Sequence, residues 1–133
     1  MESIIYIGSA NNRPSILDKS DSNYPVISIR EVDMNVIRQN PSALIFIDFK
    51  SINLADVLPI VNDKHFSDTA FVALVAPGNA ELIKNIFESG FYECISSADK
   101  TEENVRMENV ISKVTSRNKR RGKLRKVMQC IDL

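Results

Sequence analysis

The sequence has little of what most chemistry needs. Four glycines, with no GxxxxGK[ST] and no GxGxxG, leave no loop of backbone amides to cradle a phosphate. The single histidine, His65 in NDKHFSD, has no Cys, Ser or second His at catalytic spacing, and reads as a surface residue ahead of a strand rather than a base. Cys94 and Cys130 lie far apart with no CxxC or Cys/His spacing, which argues against both a disulfide framework and a zinc site. No apolar run approaches the roughly 20 residues that span a bilayer. The opening MESIIYIGSANN lacks a basic n-region and a small-residue cleavage site, so the expectation is a cytoplasmic protein with no membrane partner. No Ser/His/Asp set and no close carboxylate pair on one element can be assembled. The chain is therefore expected not to be an enzyme, and to need no cofactor or metal.

What is present fits one soluble domain of 133 residues, 44% hydrophobic and 26% charged. The zero net charge hides an asymmetry. Residues 117–133 carry seven Lys/Arg against one Asp, leaving ten basic and sixteen acidic side chains in residues 1–116. An acidic body with a basic tail (Arg117, Lys119, Arg120, Arg121, Lys123, Arg125 and Lys126) points to a linker or an interaction tail.

Short β-rich runs recur at SIIYIG (3–8), PVISI (25–29), ALIFID (43–48), AFVALVA (70–76) and FYECIS (91–96). The third and fourth are apolar throughout, as strands covered on both faces are. Between them, EVDMNVIRQN places Val32, Val36 and Ile37 on one helical face before Pro41. SINLADVLPIVNDKHF does the same with Leu54, Val57, Leu58 and Val61, although Pro59 predicts a kink or a late start. GNAELIKNIFESG is the clearest helix, with Asn79 as N-cap, a stripe of Leu82, Ile83, Ile86 and Phe87, and Gly90 as the stop. SANNRPSILDKSDSNY, with only Ile16 and Leu17 apolar, predicts a turn or two of helix at most. Strand–helix alternation implies right-handed crossovers. The expected fold is α/β and flavodoxin-like: five parallel strands in the order 2-1-3-4-5, helices on both faces, and functional groups at the carboxyl ends of strands 1, 3 and 4. Asp48, the acid closing ALIFID, falls there.

In TEENVRMENVISKVTSRNKRRGKLRKVMQCIDL, Thr101 and Asn104 give an N-terminal signal, Glu102 and Glu103 suit the positive helix end, and Val105, Val110, Ile111 and Val114 are expected to pack on the sheet. The helix is expected to leave the domain and weaken at Gly122. A second amphipathic piece should follow on Leu124, Val127, Met128 and Ile131. The expected units are a domain over 1–116 and a helical extension over 117–133.

Over residues 1 to about 116 this pattern resembles the receiver domains of bacterial response regulators, the CheY-like group. IFIDFKS is similar to the family's third strand with its phospho-accepting aspartate, which would be Asp48. AFVALVAPGNAELIKNIFESGFYECISS is similar in spacing to the fourth strand, fourth helix, Gly-containing turn and fifth strand. The departures are specific. Gly8 and Ser9 stand where the family has two magnesium-holding acids, Val75 where it has a hydroxyl residue, Ser97 where it has a lysine, Cys94 at its aromatic switch position and Ala98 at its proline. Phosphoryl transfer depends on positioning and on neutralising charge on the equatorial oxygens, so a lone Asp48 without these groups is expected to be a structural residue of a pseudo-receiver.

The resemblance implies a contact face on the fourth helix, fifth strand and fifth helix, here Lys84, Glu88, Tyr92, Arg106 and Asn109. The expected role is a regulatory module of a bacterial signalling or transcription-control protein, contacting protein as a homodimer or through other domains of the same chain. One alternative is a phosphorylatable two-component receiver with an unorthodox pocket at Asp48. Another is a nucleic-acid binder through RNKRRGKLRK, which lacks aromatics that stack bases and is favoured instead as a linker. DNA contact is thus expected only through an effector module or weakly through the tail.

Overall fold

The five apolar runs form a single parallel sheet: β1 (Ser3–Ile7), β2 (Val26–Ile29), β3 (Ser42–Asp48), β4 (Ala70–Val75) and β5 (Glu93–Ser96), in the order β2-β1-β3-β4-β5. This is the flavodoxin-like order that the alternation implied. The computed structural model describes residues 3–18 and 24–131, with side chains described through Arg117. Among the described residues no helix is long and apolar enough to cross a membrane.

Because successive strand residues face opposite ways, the sheet divides its apolar side chains between two layers. Ile5, Ile7, Ile45, Ile47, Phe71, Ala73 and Val75 meet α1 (Met34–Gln39), α2 (Leu54–Val61) and α3 (Ala80–Glu88). Ile4, Tyr6, Leu44, Phe46, Val72, Leu74 and Ile95 meet α4 (Lys100–Ile131) and a short 3₁₀ turn over Ser15–Asp18. Among its described residues the weakly apolar first connection supplies that turn and another over Ala10–Asn12, with Ile16 and Leu17 buried, and no regular helix.

α1, α3 and α4 each start where a short polar side chain takes up an orphan amide, whereas Asn53 ahead of α2 makes no such bond. Asp33 accepts from the amides of Asn35 and Val36, and Asn79 from that of Leu82. Gly90, at φ +97°, lets the chain turn out of α3 into β5. Pro59 lies inside α2, late enough that only Ile60 and Val61 follow it. The sequence signal at Thr101 is corrected: Asp99 is the cap, its Oδ1 accepting from the Thr101 amide, and α4 begins at Lys100. Asn104 instead reaches across, accepting from the Ile16 amide and donating to Ser15 Oγ.

Two apolar expectations fail on the exterior. Phe87, placed in the α3 stripe, is 51% exposed, and Val105, expected to pack on the sheet, is 53% exposed. Met107 takes the inward position with Val110 and Val114. The backbone of α4 also runs unbroken through Gly122 rather than as two pieces. One helical glycine costs only about 1 kcal/mol against alanine, which a long helix tolerates. Leu124, Val127, Met128 and Ile131, and the cations from Lys119 to Lys126, have side chains outside the described residues.

Candidate functional site

Parallel pairing places Asp48 at the carboxyl end of β3, in register with Leu74 and one residue beyond the Ile7–Ile47 pair. It is 2% exposed. Its buried oxygens are each met by donors from its own chain. The Lys50 amide donates to Oδ1 at 3.0 Å, the local turn that aspartate favours. Asn12 Nδ2 and Ser51 Oγ both donate to Oδ2 at 3.0 Å. The Asp48 carbonyl closes the same turn by accepting from the amides of Ser51 and Ile52.

Gly8 and Ser9 complete this closure. A Cβ on Gly8 would lie 2.5 Å from Asp48 Cβ and 2.9 Å from the Tyr6 hydroxyl, so the backbone of β1 reaches the acid only because no side chain intervenes. The Ser9 amide donates to Ser51 Oγ at 3.1 Å, and its carbonyl accepts from the Tyr6 hydroxyl at 2.9 Å. Burial, with the Asp48 and Glu103 carboxylates nearby, pushes the Tyr6 phenol above its ordinary range. Burial likewise raises Glu103, with Asp48 adding to the shift and Lys50 and Lys100 opposing it.

The other two positions read from sequence part company with Asp48. Val75 is buried in the opposite layer from Tyr6. Ser97 is a capping residue, its Oγ accepting from the Asp99 amide at 3.1 Å and lying 3.3 Å from Glu102 Oε2. Beyond them, Tyr6, Asn12, Lys50, Ser51 and Glu103 surround the acid. Of these only Lys50 and Ser51 had a local signal, the DFKS turn itself. Among the described residues no cluster of three or more His, Cys, Asp or Glu is placed to hold a metal ion.

The α3–β5–α4 side is built differently. Lys84, Glu88 and Asn109 are exposed, Tyr92 is 40% exposed, and Phe87 lies on the same helical face as Lys84 and Glu88. Arg106 is half-buried, donating to the Cys94 carbonyl at 3.4 Å. Arg117, the first cation of the tail, stacks over the Tyr92 ring at 5.4 Å. Cys94 is buried, and burial raises its thiol despite the nearby Arg106.

No protein-family model and no curated protein matches this chain. Solved structures do match in fold. NtrX from Brucella abortus in complex with ADP superposes with TM-score 0.66 at 18% identity, over 90% of this chain and 29% of NtrX. The same protein in complex with ATP gives 0.67 at 17% identity, over 88% and 28%. The response regulator RPA3017, from red light signaling of R. palustris, gives 0.60 at 9% identity, over 81% of this chain and 90% of that one. The chain thus spans less than a third of NtrX. At these identities the likeness is one of fold, and the fold is receiver-like.

Proposed function

We propose that this chain is a pseudo-receiver, a regulatory domain that works by protein contact and whose Asp48 is not phosphorylated in the usual way. The observation carrying the reading is the closure of Asp48: both carboxylate oxygens are bonded within the fold, and the β1 backbone packs against its Cβ. An attacking carboxylate would have to give up those donors. It would also need charge gathered on the phosphoryl oxygens, and Gly8 and Ser9 stand where the family keeps its two magnesium-holding acids, Ser97 where it keeps its lysine. The proposed role lies inside a bacterial signalling or transcription-control protein in the cytoplasm, without catalysis. Its partner is a second copy or another domain of the same protein.

The contact surface in this reading is the α3–β5–α4 side, where Phe87 and Tyr92 are exposed among Lys84, Glu88 and Asn109. Exposed aromatics ringed by charge are the composition from which interface hot spots are made.

Incubation with a small acyl phosphate and magnesium, followed by intact-mass measurement, tests the first half. No gain is expected, and a gain of one phosphoryl group that disappears in Asp48→Asn overturns it. Sedimentation velocity tests the second half. A concentration-dependent dimer weakened by Phe87→Glu supports the second copy, and a monomer at every concentration removes it.

A further inference from the structure

The charge asymmetry of the chain plays no part in the contact role. α4 runs unbroken over 32 residues, about 48 Å at a rise of about 1.5 Å per residue. From Asn109 to Ile131 it contains no Asp or Glu and eight Lys or Arg, seven of them between Arg117 and Lys126. Met107, Val110 and Val114 hold the earlier turns to the sheet, but residues 115–123 include no apolar residue with which to join a core.

On a helix, residues three and four apart are neighbours, and like charges at those spacings repel. Arg117 and Arg121, Lys119 and Lys123, and Arg121 and Arg125 stand four apart. Arg117 and Arg120, Arg120 and Lys123, and Lys123 and Lys126 stand three apart. Had Gly122 broken the helix, as the sequence suggested, this repulsion would be spread along a loose connector. The continuous backbone concentrates it instead, with no carboxylate in the same stretch of helix to offset it. A polyanion would relieve it.

Spacing and composition narrow the polyanion. Ten helical residues span about 14 Å, so the seven cations come about every 2 Å, close to the one phosphate per about 1.7 Å of axis in duplex DNA. An α-helix also fits the major groove of B-form DNA, whereas that of A-form RNA is too narrow. Residues 117–133 contain no Phe, Tyr or Trp on which unpaired bases could stack, so a single strand gains nothing here beyond charge. An anionic membrane would call for apolar residues across the helix from the cations, yet Leu124, Val127, Met128 and Ile131 follow most of the cations along the chain. The body, with ten basic against sixteen acidic side chains over residues 1–116, repels the same phosphates and confines contact to the tail.

We propose that the helical segment from Arg117 to Lys126 binds the phosphate backbone of duplex DNA without sequence preference. Phosphate contacts position a protein on the duplex and read no bases. This binding goes beyond the contact role proposed above and does not rest on it.

The test is fluorescence anisotropy of the whole chain with two labelled duplexes of unrelated sequence, between about 50 and 200 mM salt. Equal affinities are expected for the two, with log K falling against log salt at a slope of about −5, as five or six neutralised phosphates require. The fourfold variant Lys119→Gln, Arg120→Gln, Arg121→Gln, Lys123→Gln should bind far more weakly, with a slope shallower by about 3. Lys64→Gln, which removes an exposed cation of the body, should change neither. Glutamine forms helix about as well as lysine and arginine, so far-UV dichroism of the fourfold variant should match that of the natural chain. The salt slope of the natural chain tests the site independently of any variant. No saturable binding, a slope no steeper than about −2, or an unchanged slope in the fourfold variant overturns the proposal. So does tighter association with vesicles of equal parts phosphatidylserine and phosphatidylcholine than with DNA. Tighter binding of duplex RNA or of a single strand overturns the assignment to duplex DNA, and a preference above about tenfold between the two duplexes overturns backbone-only contact. Phosphorylation and self-association are read by other measurements, so failure here leaves the contact reading standing, and the converse also holds.

Discussion

The mouth of the sheet at Asp48 and the side formed by α3, β5 and α4 both carry polar residues, yet they treat them in opposite ways. At the mouth, Tyr6, Ser9, Asn12 and Ser51 turn inward, and the hydrogen bonds run among themselves and to one buried carboxylate. On the side, Lys84, Glu88 and Asn109 stand in solvent and two aromatics lie open between them. The first arrangement stabilises the fold and meets both oxygens of the acid with donors of its own chain. The second contributes little to the fold and leaves surface for another molecule. Substitutions should therefore separate the regions cleanly: changes at the mouth cost stability, and changes on the side cost contact.

The largest expected effect is at Gly8. Any Cβ there meets Asp48 Cβ and the Tyr6 hydroxyl, both held from several directions, so Gly8→Ala should destabilise by about 3 kcal/mol in urea unfolding. Gly8→Asp, a longer and charged side chain at the same point, should cost more. A Gly8→Asp variant as stable as the natural chain would mean that the mouth rearranges readily, and the contrast between the regions would fall.

Asp48→Ala comes next. It strands the Lys50 amide and the Ser51 hydroxyl and opens a small void, a loss of about 2 kcal/mol, tempered because a buried charge leaves with the side chain. Asp48→Asn should cost about half as much, since one oxygen remains and Asn12 can present its own amide oxygen to the new NH₂. Equal losses for the two variants would point to charge, not hydrogen bonding, as the source of stability.

The sheet was legible in the sequence because both-face burial writes itself as unbroken apolar runs, and ALIFID and AFVALVA became the central strands β3 and β4. The position of Asp48 followed from the same pattern. Its closure did not, because Asn12 lies 36 residues away and its approach depends on a 3₁₀ turn that composition does not specify. Phe87 and Val105 were misread for a related reason. Helical periodicity says which residues share a face, but not how wide a face the neighbouring layer covers, and both sit at the margin of their stripes. Gly8 was legible only as a departure from a familiar pattern, and the structure turns that departure into a steric requirement.

A smaller effect belongs to Tyr6. Tyr6→Phe removes the bond to the Ser9 carbonyl and should cost about 1 kcal/mol at neutral pH. Its pH dependence has a definite sign. The native phenol titrates above the unfolded one, so its contribution is fully present below about pH 10 and is lost as pH rises towards the native pKa. The stability gap between the natural chain and Tyr6→Phe should therefore narrow above about pH 10, while staying level between neutrality and that point. A gap that widened in alkali would place the Tyr6 shift in the wrong direction and weaken the picture of a phenol buried beside carboxylates.

The smallest effect lies on the other side of the comparison, at Arg117. Its guanidinium covers the Tyr92 ring from α4, so the first cation of the basic run touches the open face. A cation over an exposed aromatic contributes about 0.5 kcal/mol, and part of that is recovered by water when the arginine is removed. Arg117→Ala should thus move the unfolding midpoint barely beyond error. What it should change is association, because the Tyr92 ring, already 40% exposed, becomes available to a partner on its whole face. If sedimentation shows tighter self-association in Arg117→Ala, the arginine is a cover on the contact surface. If association weakens with stability unchanged, Arg117 is itself a contact residue, and the interface extends from Tyr92 onto the start of the tail.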